Sequence, residues 1–287
     1  MIDLHTHSTA SDGTDSPTEL VHAAADAGIT TLAITDHDST RGWDDAARAA
    51  ERRGITLVRG IEMSTTSGGI SIHLLAYLPD PDDPDLLAEL RHTRDSRATR
   101  LVTMVELMER AGVPITYADV LAQVHGDDAT VGRPHIADAL VAAGVVPTRD
   151  AAFAGYLSGQ GAFFVPHYAT DVLDAVRLVR RAGGVPVMAH PLAAARGRVV
   201  PDEVIEAMAD AGLAGIEAFH RDHTPAHLAH ALDLAEHLQL LVTGSSDYHG
   251  TGKANVLGEH TTDPTVLEQI EAQASAAGGL PVLRFAG

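Results

Sequence analysis

Helix and strand patterns alternate through most of the 287-residue chain, and polar clusters follow the strand patterns. Residues 30–35 form a continuous apolar run before Asp36-His37-Asp38, and a second such run, 185–189, precedes His190. Strands with this composition are typical of a parallel sheet that is buried on both faces. In an α/β barrel the carboxyl ends of the strands meet at one end, where active sites are built. The pattern therefore predicts an α/β barrel with a polar site at one end.

The individual elements can be predicted from apolar periodicity and from capping residues. Ser16, Pro17 and Glu19 supply a cap, a first-turn proline and a capping-box acid for the first helix. Ser67-Gly68-Gly69 predicts a hairpin turn between the third and fourth strands. The predicted strands cover 2–7, 30–35, 55–61, 70–77, 185–189, 214–219, 240–244 and 280–285, and the predicted barrel helices include about 17–28, 42–53, 171–182, 201–211 and 225–237.

The alternation is interrupted between residues 85 and 165. Pro79-Asp80-Pro81-Asp82-Asp83-Pro84 breaks every regular pattern and marks a domain boundary. The segment that follows predicts helices only, at 86–111, 117–124, 133–143 and 149–157. We therefore expect a discontinuous barrel domain, residues 1–84 and 166–287, that carries a small all-helical insertion at 85–165.

Composition narrows the chemistry of any site. The chain has no cysteine, which excludes disulfides, thiolate zinc sites and thiol nucleophiles and leaves only nitrogen and oxygen as metal ligands. A formal net charge of -19 disfavours a broad surface for long nucleic acids, so we expect a small phosphorylated substrate. No apolar run of about 18 residues could span a membrane. The start of the chain lacks a secretory signal pattern, so the expected location is the cytoplasm.

Nine potential metal ligands lie at or beside the predicted strand ends. His5 and His7 project from the same face of the first strand because alternate residues share a face, and Asp247 and His249 repeat this spacing. Nine ligands exceed what one four- or six-coordinate ion needs, so they suit two or three divalent ions. The predicted ligands are His5, His7, Asp12, His37, Glu62, His73, His190, Asp247 and His249.

The same residues carry a family resemblance. The motifs, in order, are Asp3-Leu4-His5-Thr6-His7-Ser8, Ser11-Asp12-Gly13, Thr35-Asp36-His37-Asp38, Gly60-Ile61-Glu62, Ile72-His73-Leu74, Ala189-His190-Pro191 and Gly244-Ser245-Ser246-Asp247-Tyr248-His249-Gly250. They resemble the motif set of the PHP (polymerase and histidinol phosphatase) family on both sides of the insertion. The resemblance implies a distorted (β/α)7 barrel with a trinuclear site in which Glu62 bridges two ions. It further implies three ligand sets: His5, His7 and Asp247; His73 and His190; and Asp12, His37 and His249.

The resemblance implies a metal-dependent phosphoesterase. Divalent Mn, Fe or Zn would lower the pKa of a water, and the resulting hydroxide would attack phosphorus. The insertion, with Gly132-Arg133-Pro134-His135, is similar to the branch that hydrolyses nucleoside 3′,5′-bisphosphates and short RNA 5′ ends. The expected reaction is therefore hydrolysis of a phosphate monoester, foremost the 3′-phosphate of such a bisphosphate.

Cationic and imidazole groups near the predicted site are candidates for contacts with substrate. Arg133 and Lys253, the only lysine, are expected to contact phosphate and to assist catalysis, together with the metal-bridging Glu62. Asp36 and Asp38 are expected to orient the His37 ring, or to act as a cap, rather than to bind metal. The further candidates for the pocket lining are His135, His167, His220, Asp222 and His223, although Arg221 departs from the His-Pro-Asp-His sequence common in this branch.

Four other functions can be weighed against the sequence. A histidinol phosphatase or a cyclic phosphodiesterase would share the metal site. A dinuclear amidohydrolase also opens with His-x-His, but its carbamylated lysine has no counterpart because Lys253 lies past the last motif, so only a lysine-free version fits. A non-enzymatic binding protein predicts lost ligands, and none of the nine positions is lost.

Overall fold

A nearly closed barrel of seven strands forms the centre of the computed structural model, which describes residues 1–125, 129–159 and 161–285. The strands lie in the order β1-β2-β3-β4-β6-β7-β8, while β5 pairs with β3 outside this path. The strands are β1 (Ile2–Asp3), β2 (Thr31–Ile34), β3 (Thr56–Ser67), β4 (Ile70–Tyr77), β5 (Thr170–Asp171), β6 (Val185–Met188), β7 (Gly215–Phe219) and β8 (Leu241–Gly244). The predicted α/β barrel is confirmed.

The barrel closes between the first and last strands. Thr6 and Tyr248 form a parallel bridge, and the backbone N–H of His7 donates to the carbonyl of Tyr248 over 2.8 Å. The Ser246 N–H adds a hydrogen bond to the Asp3 carboxylate, 3.0 Å away. The segments after β1 and β8 therefore lie side by side, although they are about as far apart in sequence as the chain allows.

Ten α-helices are present within the described residues, and they follow the predicted order. The first begins with the predicted capping box, in which the Ser16 and Glu19 side chains each accept from the other's backbone N–H. The helices are α1 (Pro17–Asp26), α2 (Trp43–Arg53), α3 (Pro84–Arg110), α4 (Tyr117–Leu121), α5 (Arg133–Ala142), α6 (Arg149–Ala154), α7 (Val172–Arg181), α8 (Asp202–Ala211), α9 (Pro225–Leu238) and α10 (Pro264–Ala277). None of them combines the length and apolarity that crossing a bilayer requires.

The β3–β4 hairpin is longer than the sequence predicted. The two strands pair antiparallel from Gly60–Tyr77 to Ser67–Ile70, which confirms the predicted turn at residues 67–69. Because β3 continues to Ser67, Glu62 and His73 lie within strands, and the expectation that both follow strand ends is wrong. Strand β4 pairs antiparallel with both β3 and β6. The first half of β4, which contains His73, therefore lies beside the carboxyl end of β6 and so near the site.

The predicted last strand, 280–285, is also wrong. Leu283 makes only an isolated bridge with Leu57. Further pairing along this edge of β3 is blocked at Arg59, because its carbonyl already accepts a hydrogen bond from the Leu78 N–H. The facing segment contains Pro281, which has no N–H to donate. A longer ladder therefore cannot form there.

The core consists of three apolar clusters. The largest packs the helices around the barrel against one face of the strands, and a second joins the alternate strand residues, including Leu75 and Val187, to α10. The third lies in the helical segment. Helix α3 takes part in two of them, because Leu90 lies in the first and Met104 in the third. The division into a barrel domain and an inserted domain at 85–165 stays a prediction.

Tyr77 provides a test of the barrel interior. Its side chain is fully buried, and its hydroxyl donates to the Leu4 carbonyl over 2.9 Å. We expect Tyr77→Phe to lower the free energy of unfolding by about 1–3 kcal/mol, because a buried carbonyl loses its partner. The control is Tyr168→Phe, whose 39% exposed side chain bonds Glu89. Urea denaturation measures both, and equal losses would contradict the assignment.

Candidate metal centre

The nine predicted ligands lie together at one end of the barrel. Their neighbouring atoms form a continuous set of contacts across loops from both ends of the chain. Eight of the nine have side chains no more than 9% exposed, and His73 is 29% exposed. Gly13 helps to bring Asp12 there, because a Cβ at this position would lie 2.4 Å from the His7 carbonyl oxygen. The loop can approach His7 this closely only with glycine.

Glu62 is at the centre of the cluster. Its carboxylate is buried, with a side chain 1% exposed, and imidazole nitrogens surround both oxygens. The nitrogens that lie between 2.7 and 3.3 Å from these oxygens belong to His5, His7, His37, His73 and His190. One carboxylate thus contacts histidines from four different chain segments, since His5 and His7 share one.

Two further carboxylates complete the cluster. Asp247 Oδ1 lies 3.4 Å from His5 Nε2 and 3.5 Å from His7 Nε2. Asp12 Oδ1 lies 3.4 Å from His249 Nε2 and 3.6 Å from His7 Nδ1. Three groups therefore have ligand atoms within 4.8 Å of one another: His5, His7 and Asp247; His7, Asp12, His37 and His249; and His37, Glu62 and His73.

The donor atoms of the cluster fit divalent metal ions. The buried nitrogens His37 Nδ1 and His249 Nε2 lie 3.2 and 3.4 Å from carboxylate oxygens of Glu62 and Asp12, but neither forms a well-aligned hydrogen bond with any described residue. A buried polar group left without a partner costs about 1–3 kcal/mol, and a cation beside these nitrogens would remove that cost. Imidazoles and carboxylates together are common ligands of transition metals. The residues therefore suit metal binding.

The electrostatics of the cluster also favour cations. Burial raises the pKa of Glu62, but the nearby His73, His37 and His5 outweigh it and hold that pKa well below its usual range. Burial likewise disfavours charged His7, yet hydrogen bonds to Asp247 and Glu62 raise its pKa to about 9. The carboxylates thus draw protons onto the imidazoles, and a metal ion would compete for the same negative potential.

Two other histidines of the cluster are held neutral. Burial, with some effect of Arg196, lowers the pKa of His190 to about 3. Burial and the neighbouring His7 lower the pKa of His249 to about 4. Neutral imidazole is the form that binds metal, so these two side chains need no deprotonation near pH 7.

Glu217 supports the cluster and was missed by the sequence analysis. It is fully buried in β7, where Oε1 lies 3.1 Å from His5 Nδ1 and Oε2 accepts from the His190 N–H over 2.9 Å. Ser245 donates to it as well. A carboxylate on the far nitrogen of a metal-binding histidine fixes the ring and its tautomer. The sequence does carry one indication of this role, because Glu217 is the single charged residue within the apolar strand pattern 214–219.

Arg196 is a second residue that the sequence analysis missed. It lies in the 3₁₀ turn Ala194–Arg196, and its Nη2 donates to Asp247 Oδ2 over 2.6 Å. Its Nε pairs with Asp222 Oδ2 at 2.5 Å. Lys253 Nζ lies 3.1 Å from the same oxygen of Asp247. Two cations at the rim therefore converge on one predicted metal ligand, and no spacing in the sequence indicated the first of them.

The two predicted supporting acids hold loops rather than the His37 ring. Asp36 accepts from Ser8 and from Ser11, which precedes Asp12. Asp38 accepts from the backbone and hydroxyl of Ser64 at 2.7 and 2.8 Å. Left-handed backbone at Asp38, His190 and Asp247, with φ of 50°, 30° and 51°, costs about 1–3 kcal/mol each and aims these segments at the site.

The predicted substrate residues occupy different positions. His220 is buried, with Nδ1 accepting from the Asp222 N–H and Nε2 3.6 Å from Asp247 Oδ2. His223 has both ring nitrogens on backbone groups, Ala218 O and Leu192 N, which favours a structural role. His135 accepts from the Gly132 N–H.

An open cleft lies between the barrel loops and the helical segment. Its volume is about 640 Å³, and its lining includes Asp12, His135 and Lys253. Arg133 is two residues from His135 in the sequence, but its side chain has contacts elsewhere. Its Nη1 donates to the Leu157 carbonyl, and its guanidinium lies 5.4 Å from the Phe153 ring centre. The cleft thus adjoins one carboxylate of the metal centre and two cations, Lys253 and Arg149, of which Arg149 is paired with Asp138.

Comparison with known proteins identifies relatives over most of the chain. The PHP domain profile matches residues 3–125. A 3′,5′-nucleoside bisphosphate phosphatase from Chromobacterium violaceum is 34% identical over 91% of this chain and 92% of its own. A 5′-3′ exoribonuclease from Haemophilus influenzae is 41% identical over 66% of this chain and 68% of its own.

A solved structure shares the whole fold. The crystal structure of a predicted metal-dependent phosphoesterase from Bifidobacterium adolescentis superposes with a TM-score of 0.92 at 42% identity, over 94% of this chain and 95% of the other. This likeness confirms the expected barrel type.

Glu217 allows a test of the support around the cluster. We expect Glu217→Gln to weaken binding of a divalent metal such as Mn²⁺ by roughly 10–100-fold, because the charge behind His5 is lost. Titration of metal-depleted protein, followed by metal analysis, measures this. The control is Glu206→Gln on the outer side of α8, where the side chain is exposed. Unchanged affinity in Glu217→Gln would show that the residue is only structural.

Proposed function

Since the chain belongs to the PHP family of metal-dependent phosphoesterases, we propose that it removes the 3′-phosphate of nucleoside 3′,5′-bisphosphates. The cleft beside Asp12 carries the proposal, because its volume of about 640 Å³ falls within the usual range for small-molecule sites. The bisphosphate phosphatase described above resembles this chain over nearly its full length. Both observations favour a nucleotide-sized phosphate ester.

The proposed cofactors are two to three divalent ions, Mn, Fe or Zn. Glu62 would be shared between ions, since its two oxygens face different histidines. When bound, the ions would supply a water of lowered pKa and positive charge for the phosphoryl oxygens. The proposed ligands are the nine residues predicted from the sequence: His5, His7, Asp12, His37, Glu62, His73, His190, Asp247 and His249.

Groups of the chain itself would hold the phosphate. Lys253 and Arg196 both point to Asp247 Oδ2, so an anion arriving at the rim meets two cations. His220 accepts a hydrogen bond at Nδ1, so in its neutral form Nε2 carries the proton and can donate to a substrate oxygen. These contacts position the ester and stabilise charge as it develops.

A second proposed activity is hydrolysis at short RNA 5′ ends. The exoribonuclease from Haemophilus influenzae supports it, and the cleft is open at its surface. The net charge of -19 disfavours a long nucleic acid track, so the expected RNA substrates are short. We further propose a cytoplasmic location, which the absence of cysteine fits.

A substrate panel tests the proposed reaction. Metal-reconstituted protein should release phosphate fastest from adenosine 3′,5′-bisphosphate, because the cleft accommodates a nucleoside beside the metal centre. Histidinol phosphate and a cyclic phosphodiester, assayed in parallel, represent the alternatives that share the metal site; for the diester, the ring-opened product is measured. Preference for either one would overturn the substrate assignment.

Lys253 tests the rim contact. We expect Lys253→Gln to raise KM for the bisphosphate by roughly 10–100-fold, since a charged hydrogen bond to phosphate is lost. The control is Arg52→Gln in α2, an exposed cation on the barrel exterior. Steady-state kinetics measure both variants. If KM stays unchanged while kcat falls, Lys253 acts on the metal ligand Asp247 instead of on the substrate.

A further inference from the structure

Three of the proposed metal ligands lie in barrel loops that the helical segment contacts. Their ligand atoms lie within 4.8 Å of one another and of a nitrogen of His7. They are Asp12, His37 and His249, and we call them the loop set. The first contact is made by Thr130 in the connection between α4 and α5. Its backbone N–H donates to the Ala10 carbonyl over 3.0 Å, two residues before Asp12.

Helix α3 contacts the loop of His37. Arg94 Nη1 donates to the carbonyl of Asp38, the residue that follows this ligand, over 2.5 Å. Asp38 has a φ of 50°, and left-handed backbone at a residue other than glycine persists only where its surroundings hold it. Arg94 therefore helps to fix the backbone beside His37.

Arg149 of α6 contacts the loop that follows His249. Its Nε and Nη2 donate to the two carboxylate oxygens of Asp138 in α5, both at 2.5 Å, and this bidentate pair fixes the plane of the guanidinium. Its Nη1 lies against Gly252, where a Cβ would be only 2.1 Å from it. Arg149 can approach the backbone this closely only because residue 252 is glycine. Two helices thus support one side of the loop.

The other side of the same loop lies on the barrel. Thr14 Oγ1 accepts from the Thr251 N–H over 2.8 Å, and the Thr14 N–H donates to the His249 carbonyl over 3.1 Å. Gly250 has a φ of 67°, and a Cβ there would lie 2.0 Å from Thr14 Oγ1. The loop is therefore enclosed between Thr14 and Arg149, and loss of the Arg149 contact frees one side of it.

We propose that the helical segment completes a metal position on the loop set, with Arg149 as a positioning residue for His249. This inference rests on the metal centre of the proposed function and not on the identity of the substrate. His249 Nε2 lies 3.4 Å from Asp12 Oδ1, so a shift of the His249 loop separates two ligand atoms of one position. Contacts behind a metal ligand typically change metal affinity by roughly 10–100-fold.

Metal content tests the proposal without any substrate. Metal-depleted protein is dialysed against a fixed concentration of Mn²⁺, and elemental analysis gives the number of ions retained per chain. We expect Arg149→Gln to retain one ion fewer than the parent protein and, in a titration, to bind that ion roughly 10–100-fold more weakly. Equal retention, or loss of more than one ion, would overturn the proposal.

Two further variants identify the ion that is lost. Asp12→Asn removes a proposed ligand of the loop set, so the double variant with Arg149→Gln should retain as many ions as Asp12→Asn alone. A double variant that loses a further ion would contradict the proposal, as would an Asp12→Asn variant that retains every ion. The matched control is Arg284→Gln, which breaks a bidentate pair with Glu271 near the end of the chain and should retain every ion.

Gly252 provides a second test that keeps both charges of the ion pair. Gly252→Ala would place a Cβ against Arg149 Nη1 and displace that side chain, so it should lose the same ion, even if Arg149→Gln fails to fold. The control is Gly159→Ala, where a Cβ would meet nothing within 4 Å. Retention of every ion by Gly252→Ala would count against the role of Arg149.

The same measurements separate this inference from the proposed function. They contain no nucleotide, so the number of ions retained does not depend on which ester the protein hydrolyses. If the parent protein releases no phosphate from the bisphosphate but Arg149→Gln loses one ion, the proposed function fails and the role of Arg149 stands. If the bisphosphate is hydrolysed and Arg149→Gln retains every ion, the inference fails and the proposed function stands.

Discussion

The Glu62 carboxylate, buried among five imidazoles, is the interaction on which the rest of the site depends. An isolated buried carboxylate is costly, so it requires positive partners, whether protonated histidines or metal ions. The histidines reach it from loops and strands throughout the barrel. A change in strand register that moved one of these histidines away would leave the Glu62 charge less well compensated. The position of Glu62 therefore ties the fold of the barrel to its chemistry.

Closure of the barrel brings the two ends of the chain to this carboxylate. The bridge between Thr6 and Tyr248 sets the segment of His5 and His7 beside that of Asp247. The β3–β4 hairpin then places Glu62 and His73 within paired strands, whose backbone is more restrained than a loop. The cost of left-handed backbone at Asp38, His190 and Asp247 is offset by this framework. The site is thus rigid in its centre and open at the cleft.

Charge is divided sharply around the mouth of the barrel. The metal centre collects carboxylates, which favour cations, whereas Arg97 of α3 pairs with Asp38 beside it and Arg100, one turn along, forms no ion pair with a described residue. Arg196 and Lys253 form a third group on the far oxygen of Asp247. This division of charge arises in a chain whose net charge is strongly negative.

Local patterns in the sequence were enough to predict most of the element order, the hairpin turn and the nine residues that meet at one end of the barrel, because apolar periodicity and turn residues act over short distances. They could not predict that β3 continues past Glu62 or that 280–285 forms only a bridge, since both depend on which backbone groups are already paired. Nor could they assign partners to Glu217, Arg196 or Arg100. Those roles were decided by the tertiary structure, because burial and the approach of distant segments determine which charges are paired.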